Sequence, residues 1–175
     1  MCIRDSGAGA FAIEATNEFD NLIGFDMRTD GERGCFLNLP SKNNKDSIID
    51  NIDFLSGAFS PIQMNGQEVY KFAVREVPII LEKLFKKMNY SSDEVDWLVL
   101  HQANQRILDS VGDRLKIPRD KFLSNLEKYG NTSAATIPLM MDEAIRNNRI
   151  KQNDIIATSG FGAGLSWGAA LIKWG

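Results

Sequence analysis

Apolar residues recur along much of the chain at steps of three and four, the spacing of a helix with one apolar face. The longest such pattern runs from Gly66 to Tyr90, and further helical patterns cover 103–116 and about 134–147. Pro78 lies inside the first pattern and has no backbone N–H to donate, so a kink or break is predicted there. The sequence therefore predicts a helix in each of these three segments.

Short apolar runs predict strands. We expect the glycine-rich segment 160–164 to interrupt the strand that begins at Ile155. Residues 30–61, rich in Gly, Asn, Asp, Ser and Lys, predict a long irregular excursion. Because the first two strands are adjacent and later strands alternate with helices, the pattern favours an α/β fold with a mixed sheet. The strand-like runs are 7–15, 22–29, 96–100, 122–125, 155–159 and 167–174.

Size and charge narrow the classes of protein that fit. With 175 residues, 43% of them hydrophobic, the chain can bury one ordinary core, which is about one domain. The 20 basic and 23 acidic residues are too balanced to favour nucleic acid as the main partner. No apolar run approaches the roughly 20 residues of a membrane helix, so no membrane association is expected. The N-terminus lacks the apolar segment of a secretory signal.

The two cysteines, Cys2 and Cys35, indicate neither a disulfide framework nor a metal site. There is no C-x-x-C motif, and a single histidine does not complete the usual zinc spacing. A reduced, cytoplasm-like compartment fits this usage best. Cys35 lies among turn and strand residues and is predicted to be a buried or half-buried thiol.

His101 is the only histidine of the chain, and it directly follows the apolar run that ends at Leu100. A helical pattern begins just after it, so the imidazole is expected at the carboxyl end of a strand and beside a helix N-terminus. Open α/β sheets bind ligands at such strand ends, and helix N-termini there offer N–H donors. A structural histidine with satisfied hydrogen bonds is the alternative. The polar segment 129–133 and the glycine-rich segment 160–164 also follow strand-like runs, but spacing alone does not show that they meet His101.

Three motifs, in this order, resemble the second half of the β-ketoacyl-acyl-carrier-protein synthase III family. They are His101–Asn104, Gly130–Ala135, and Gly160–Gly164 followed by Trp167-Gly168. The resemblance extends from about Gly7 to Trp174. It implies a thiolase-like fold, of which this chain would be the C-terminal half of the five-layer αβαβα architecture, with a mixed sheet and helices on both faces.

The resemblance also implies how the chain is divided. Residues 1–6 match nothing in the family and are interpreted as a non-native or misread start, whereas 7–175 would form the C-terminal half-domain. The nucleophilic cysteine of the family belongs to the first half, and neither Cys2 nor Cys35 stands at its position. The chain alone is therefore expected to be inactive.

The family initiates type II fatty-acid synthesis by decarboxylative condensation of an acyl-CoA primer with malonyl-acyl carrier protein. By resemblance, His101 and Asn131 are the second and third members of its Cys-His-Asn triad. Both would donate N–H groups to the malonyl thioester oxygen, where negative charge develops. An asparagine at Asn131, instead of a second histidine, favours the initiating type of synthase over the elongating type.

The glycine-rich loop has two implied roles. Phe161 would place an apolar wall beside the malonyl carboxylate, which favours its departure as neutral CO₂. A backbone N–H of the loop Gly162-Ala163-Gly164 would complete a second oxyanion hole, for the acyl-cysteine carbonyl. Ala163 stands where the family usually has glycine.

Two binding surfaces follow from the resemblance. A basic face would attract the acidic acyl carrier protein, although for Lys71 and Arg114 a solvated helix face is an equal alternative. The residues of that face are Lys71, Arg106 and Arg114. The residues that match the tunnel for pantetheine and CoA are Met64, Gly66, Ala103 and Asn104.

The implied partners are acyl carrier protein and acyl-CoA, with a homodimer in the full-length enzyme, no cofactor and no metal, in a bacterial cytoplasm or plastid stroma. One alternative is a related condensing enzyme that makes polyketides or alkylquinolone-type products. Plant-type polyketide synthases carry proline where Ala163 stands, which counts against them. The other alternative is a non-catalytic interaction subunit of the same fold.

Overall fold

The computed structural model describes residues 6–15, 21–40, 44–49, 52–56 and 61–175. Cys2 and the interpreted start, apart from Ser6, lie outside the described residues. The strands are β1 (Leu22–Thr29), β2 (Leu37–Asn38), β3 (Asn44–Ile49), β4 (Ile52–Ser56), β5 (Gln63–Met64), β6 (Trp97–Leu100), β7 (Ile155–Gly162) and β8 (Ser166–Lys173). The α-helices are α1 (Gly66–Met88), α2 (Gln105–Leu115), α3 (Leu126–Tyr129) and α4 (Thr136–Arg146). Short 3₁₀ helices cover Gly31–Phe36, Ser92–Glu94, Arg119–Lys121 and Ser133–Ala135.

Four strands form the central sheet in the order β1-β8-β7-β6. β1 pairs with β8, and β8 with β7, in antiparallel fashion, whereas β7 and β6 run parallel. The predicted mixed sheet is confirmed. The parallel pair places the carboxyl end of β6, where His101 follows, beside the middle of β7.

Helices cover both faces of this sheet, as predicted. Side chains alternate between the two faces along a strand, so successive residues of β6 pack against different helices. Leu98 and Leu100 of β6 join a buried core with residues of α1 and α2, such as Leu81. Val99, between them, joins a second buried core with Met141 of α4. The end of β6 lies beside the start of α4, since Nδ1 of His101 is 2.7 Å from Thr136 Oγ1.

A kink or a break was predicted at Pro78. α1 runs through this residue without a break, so that part of the prediction is wrong. The cost of the lost backbone hydrogen bond is offset because one side of the helix is buried over its length, against β1, β7, β8 and α2. Asn65 caps the helix by accepting a hydrogen bond from the Glu68 N–H at 3.2 Å. Among the described residues, no helix combines the length and apolarity needed to cross a membrane.

The N-terminal half departs from the sequence prediction. Residues 7–15 have no regular secondary structure, so the predicted first strand is wrong. A Cβ on Gly7 would lie 2.9 Å from Leu139 Cδ1 and one on Gly9 2.5 Å from Pro138 Cγ, so this segment lies against α4 instead of joining the sheet. The predicted irregular excursion at 30–61 contains the β3–β4 hairpin and the short strand β2. Cys35 is exposed, not buried, because the 3₁₀ turn at 31–36 directs it outward.

Two predicted strand limits are also wrong. β7 continues through Gly160 to Gly162, since β8 supplies pairing partners as far as Ser166. The turn is thereby confined to 163–165. The run 122–125 forms only a single parallel bridge, between Phe122 and Leu98. The backbone leaves the extended conformation at Asn125, where ψ is 19° and α3 begins.

Candidate active site

The backbone on both sides of His101 is held in place. Its N–H donates to Ser159 O at 2.9 Å, which extends the pairing of β6 with β7 by one residue. The next residue, Gln102, is fully buried. Its Nε2 donates to Leu100 O at 2.7 Å and to Leu123 O at 3.3 Å, which ties the end of β6 to the segment after α2.

The ring of His101 contacts both α4 and β7. Nδ1 lies 2.7 Å from Thr136 Oγ1, at the start of α4. The ring also meets Phe161 edge to face, with 5.3 Å between the ring centroids and an interplanar angle of 81°. Thr136 belongs to α4 and Phe161 to β7, so these two elements together orient the imidazole.

Asn131 reaches the site by a turn after α3. Gly130 has φ of 65°, a conformation that glycine adopts without strain. The Oδ1 of Asn131 then accepts a hydrogen bond from the Ser133 backbone N–H at 2.9 Å. This bond uses the acceptor end of the side-chain amide and leaves its NH₂ group for a ligand.

The aromatic ring of Phe161 is packed on two sides. Besides His101 it contacts Phe72 of α1, with ring centroids 6.2 Å apart. Phe161 is paired across the hairpin with Trp167, which also meets Phe72 edge to face at 5.0 Å. The apolar side chain that faces the imidazole is therefore anchored on the core of the protein.

The backbone conformation of the turn after β7 requires glycine at one position. Gly164 has φ of 141°, and a Cβ there would collide with Ser166. Ala163 is exposed and is absent from the residues with positive φ, so an L-residue is accommodated there. The departure from the usual glycine at Ala163 is thus compatible with this backbone.

A single cavity of about 830 Å³ brings most of the predicted site residues together. Gly164 is the predicted loop residue that does not line it. Among the described residues, no group of three or more His, Cys, Asp or Glu is placed to hold a metal ion. The predicted residues that line the cavity are Met64, Gly66, His101, Ala103, Asn104, Asn131, Phe161, Gly162 and Ala163.

Arg106, one of the three predicted basic residues, contacts a residue that lines the cavity. Its guanidinium stacks over the ring of Tyr70, 5.3 Å from the centroid, and Tyr70 lines the cavity. The Tyr70 hydroxyl in turn lies 3.3 Å from Ser110 Oγ. Within the described part of the chain Arg106 makes no ion pair, so its exposed charge is available at the rim of the cavity.

Lys71 and Arg114 have carboxylate neighbours on α1. Lys71 Nζ lies 2.7 Å from Glu68, and Arg114 Nε lies 3.9 Å from Glu82. Both pairs are exposed, and such pairs are typically worth about 0–1 kcal/mol. The two cations are therefore held only weakly and do not line the cavity.

A polar clamp joins α4 to the segment that carries Asn131. Glu143 of α4 accepts hydrogen bonds from Lys128 at 2.8 Å and from Asn125 at 3.0 Å. The bond from Lys128, supported by that from Asn125, lowers the pKa of the Glu143 carboxyl below its ordinary value. The clamp is stabilising while Glu143 is ionised.

Residues 85–174, just over half of the 175-residue chain, match the family model for the 3-oxoacyl-[acyl-carrier-protein] synthase III C-terminal region. The chain belongs to this family. A relative from Prochlorococcus marinus strain MIT 9215, named beta-ketoacyl-[acyl-carrier-protein] synthase III, is 92% identical over 169 residues, which is 97% of this chain and 50% of the relative. The chain thus spans about half the length of the curated relatives it matches.

Solved synthase III structures give the same result for the fold. The enzyme from Thermus thermophilus superposes with a TM-score of 0.78 at 32% identity, over 93% of this chain and 49% of the other. The enzyme from Aquifex aeolicus VF5 gives 0.75 at 32% identity, over 91% and 47%. The predicted thiolase-like fold, with this synthase III chain as its C-terminal half, is confirmed.

The sequence did not single out three residues that shape this synthase III site. Thr136 contacts the imidazole, Gln102 fixes the backbone beside it, and Tyr70 supports Arg106. Gln102 had a usable signal, because a polar residue close to the end of a buried strand is expected to bond backbone groups. The other two contacts join residues far apart in sequence, so no local pattern marks them.

Proposed function

We propose that this chain supplies the C-terminal half of an initiating condensing enzyme that joins an acyl-CoA primer to malonyl-acyl carrier protein. The observation that supports this most directly is the shared cavity of His101, Asn131 and Phe161, in which the asparagine amide is oriented as a donor. Two neutral donors and an apolar wall fit the decarboxylation of a malonyl thioester.

In the proposed reaction the acyl group is held as a thioester on a cysteine of the first half. The bond between C2 and the carboxyl carbon of the malonyl group breaks, CO₂ leaves, and the electron pair forms an enolate of the thioester. C2 then attacks the acyl-thioester carbonyl, and the cysteine thiolate departs. The product is a β-ketoacyl group on the carrier protein.

His101 and Asn131 would stabilise the enolate oxygen by donating from Nε2 and from the side-chain NH₂. Donors fixed before the charge develops need little reorganisation, and losing one typically costs about 10²–10³ in rate. The Ser133 N–H bond to Asn131 and the contacts of the His101 ring with Thr136 and Phe161 provide that fixation. The Asn131 amide donates at any pH, because it does not titrate.

Phe161 would face the malonyl carboxylate. Its apolar ring offers that carboxylate no hydrogen bond, which destabilises the charged group. Neutral CO₂ needs no such hydrogen bond, so its formation is favoured. The turn 162–164 would direct a backbone N–H at the acyl-cysteine carbonyl. Its tight geometry, set by Gly164, keeps this donor independent of side-chain rotation.

The cavity also suits a long thioester arm. Its volume of about 830 Å³ lies within the range of about 300–1,000 Å³ that is usual for ligand pockets. Met64 lines it from β5 and Gly66 from the first residue of α1, and Ala103 and Asn104 line it from the segment just before α2. Arg106 at the rim would meet the phosphate of the arm or the acidic surface of the carrier protein.

We infer three finer features that accompany this function. The full-length enzyme would be a homodimer, it would act without a metal or other cofactor, and it would work in the cytoplasm of a bacterium or the stroma of a plastid. The support for the compartment is the cysteine usage of the sequence, which has two cysteines and no C-x-x-C motif. Sedimentation of the full-length enzyme tests the dimer directly.

A hybrid enzyme tests the proposed function. In it, residues 7–175 of this chain replace the matching half of the Prochlorococcus marinus MIT 9215 synthase, which is 92% identical over the matched region. We expect the hybrid to form β-ketoacyl product from acyl-CoA and malonyl-acyl carrier protein. A folded hybrid that acylates its cysteine but forms no product would contradict the proposal. Equal use of malonyl-CoA would instead favour the related polyketide-type enzymes.

A further inference from the structure

Thr136 contacts the Nδ1 nitrogen of the His101 ring. Its side chain is 2% exposed at the first turn of α4. Its Oγ1 lies 2.7 Å from His101 Nδ1 and 2.9 Å from Ser133 O. The hydroxyl is therefore placed between a ring nitrogen and a backbone carbonyl.

A hydroxyl has one proton, so it donates to only one of these two neighbours at a time. In one arrangement it donates to Ser133 O and accepts a hydrogen bond from Nδ1–H of His101. In the other it donates to Nδ1, and the neutral imidazole then carries its proton on Nε2. The bond that the other nitrogen makes decides which ring nitrogen is protonated.

The second arrangement leaves no backbone group without a partner. Ser133 O also accepts a hydrogen bond from the Thr136 backbone N–H, which closes the 3₁₀ turn at 133–135. When the hydroxyl rotates toward His101, this carbonyl keeps that bond. The change of donor therefore avoids the penalty of about 1–3 kcal/mol that an unsatisfied buried group would cost.

We propose that Thr136 is a positioning residue for His101: its hydroxyl binds Nδ1 and thereby lets the ring present its proton on Nε2 to the thioester oxygen. This inference rests on the proposed condensation. Thr136 itself touches no reacting atom. An acceptor oxygen at Nε2 gains a hydrogen bond only in the second arrangement, so the arrival of the substrate favours the arrangement that the reaction needs.

Substitutions at Thr136 distinguish the effect of its hydroxyl from the effect of its side-chain volume. Thr136→Val keeps the branched shape and removes the hydroxyl, whereas Thr136→Ser keeps the hydroxyl and removes a methyl group. In the hybrid enzyme we expect Thr136→Val to lower the rate of condensation by about 10²-fold, the usual cost of a misplaced catalytic group. Acylation of the cysteine by acyl-CoA should not change, and Thr136→Ser should retain most of the rate. Thr136→Ala serves as a second hydroxyl-free variant in case Thr136→Val does not fold.

The tautomer gives a measurement that does not depend on activity. His101 is the only histidine in this chain, and its ring signals in the ¹⁵N-histidine-labelled hybrid are identified by their loss in His101→Gln. We expect the hybrid and Thr136→Ser to share the same ¹⁵N ring shifts, and Thr136→Val or Thr136→Ala to differ. Unchanged shifts in the hydroxyl-free variants, or an equal loss of condensation in Thr136→Ser and Thr136→Val, would overturn the inference. If the hybrid itself does not condense, the proposed function fails, and the shifts alone decide whether Thr136 controls the ring.

Discussion

The side-chain oxygen of Asn131 accepts a hydrogen bond from the backbone N–H of Ser133, at 2.9 Å. The bond fixes which end of the amide is turned toward a ligand, because an asparagine offers an acceptor at one end and a donor at the other. The donor end is the one that the proposed enolate needs. A residue two positions along the chain thus decides the chemical character of the site.

This relationship predicts different roles for the two ends of Asn131. In the hybrid enzyme, Asn131→Ala should lower condensation by about 10²–10³-fold, because one oxyanion donor is lost. Cysteine acylation should continue, since the amide acts on the malonyl group. Both steps are measured separately with labelled acyl-CoA and labelled malonyl-acyl carrier protein.

Asn131→Asp is the matched control. The carboxylate still accepts the Ser133 N–H bond and keeps the shape of the side chain, but it has no donor and repels an enolate. It should condense no faster than Asn131→Ala. Substantial condensation by Asn131→Asp would show that shape, and not the NH₂ group, is what the site requires.

The ring of Phe161 should act through its apolarity. Phe161→Leu keeps an apolar wall beside His101 and should retain much of the condensation rate. In Phe161→Asn the side-chain amide can donate a hydrogen bond to the malonyl carboxylate and stabilise it. This variant should lower the rate by about 10²-fold, comparable to the loss of a well-placed group. Steady-state rates with malonyl-acyl carrier protein distinguish the two variants, and equal rates would remove the apolar wall from the mechanism.

Arg106 should contribute to carrier-protein binding more than Lys71 does. Arg106 has no ion-pair partner within the described residues and lies at the cavity rim, whereas Lys71 pairs with Glu68. A charge-assisted bond is worth about 1.5–3 kcal/mol, so Arg106→Ala should raise KM for malonyl-acyl carrier protein by about tenfold or more. The value of kcat should be unaffected, and the difference should shrink as salt increases. A KM for Lys71→Ala that rises as much would argue against a special role for Arg106.

The Glu143 clamp predicts a pH dependence of stability. The pKa of Glu143 is lowered in the folded chain by its bond from Lys128, so the stabilisation is present above the unfolded pKa. It is lost as the pH falls through the folded pKa. Glu143→Gln should therefore lower Tm at neutral pH and make Tm less sensitive to acid. Asp142→Asn, which removes an exposed pair with Arg146 on the same helix, is the control and should have a smaller effect.

The sequence predicted the parts of this fold that depend on local pattern. β6 ends at Leu100, just before His101, because a short apolar run meets a helical pattern there, and both signals are local. Pro78 and Gly160 were misread for the opposite reason. A buried helix face and a paired strand β8 outweigh the local preferences of these two residues.

In the candidate site, too, some residues could be predicted from the sequence and others could not. Motif resemblance identified His101 and Asn131, and the structure places them in one cavity. The contact of Thr136 with His101 was not predictable from spacing, because it depends on how α4 packs on the sheet. The same holds for Tyr70, whose ring lies under Arg106 only because α1 and α2 pack side by side.

Release of CO₂ from carboxyl-labelled malonyl-acyl carrier protein tests the central claim most directly. The hybrid enzyme is compared with its His101→Ala, Asn131→Ala and doubly substituted forms, all with an acylated cysteine. We predict rapid release by the hybrid and a loss of about 10²–10³-fold on removal of either donor. Release by the doubly substituted form at the rate of the hybrid would contradict the claim that His101 and Asn131 together stabilise the enolate.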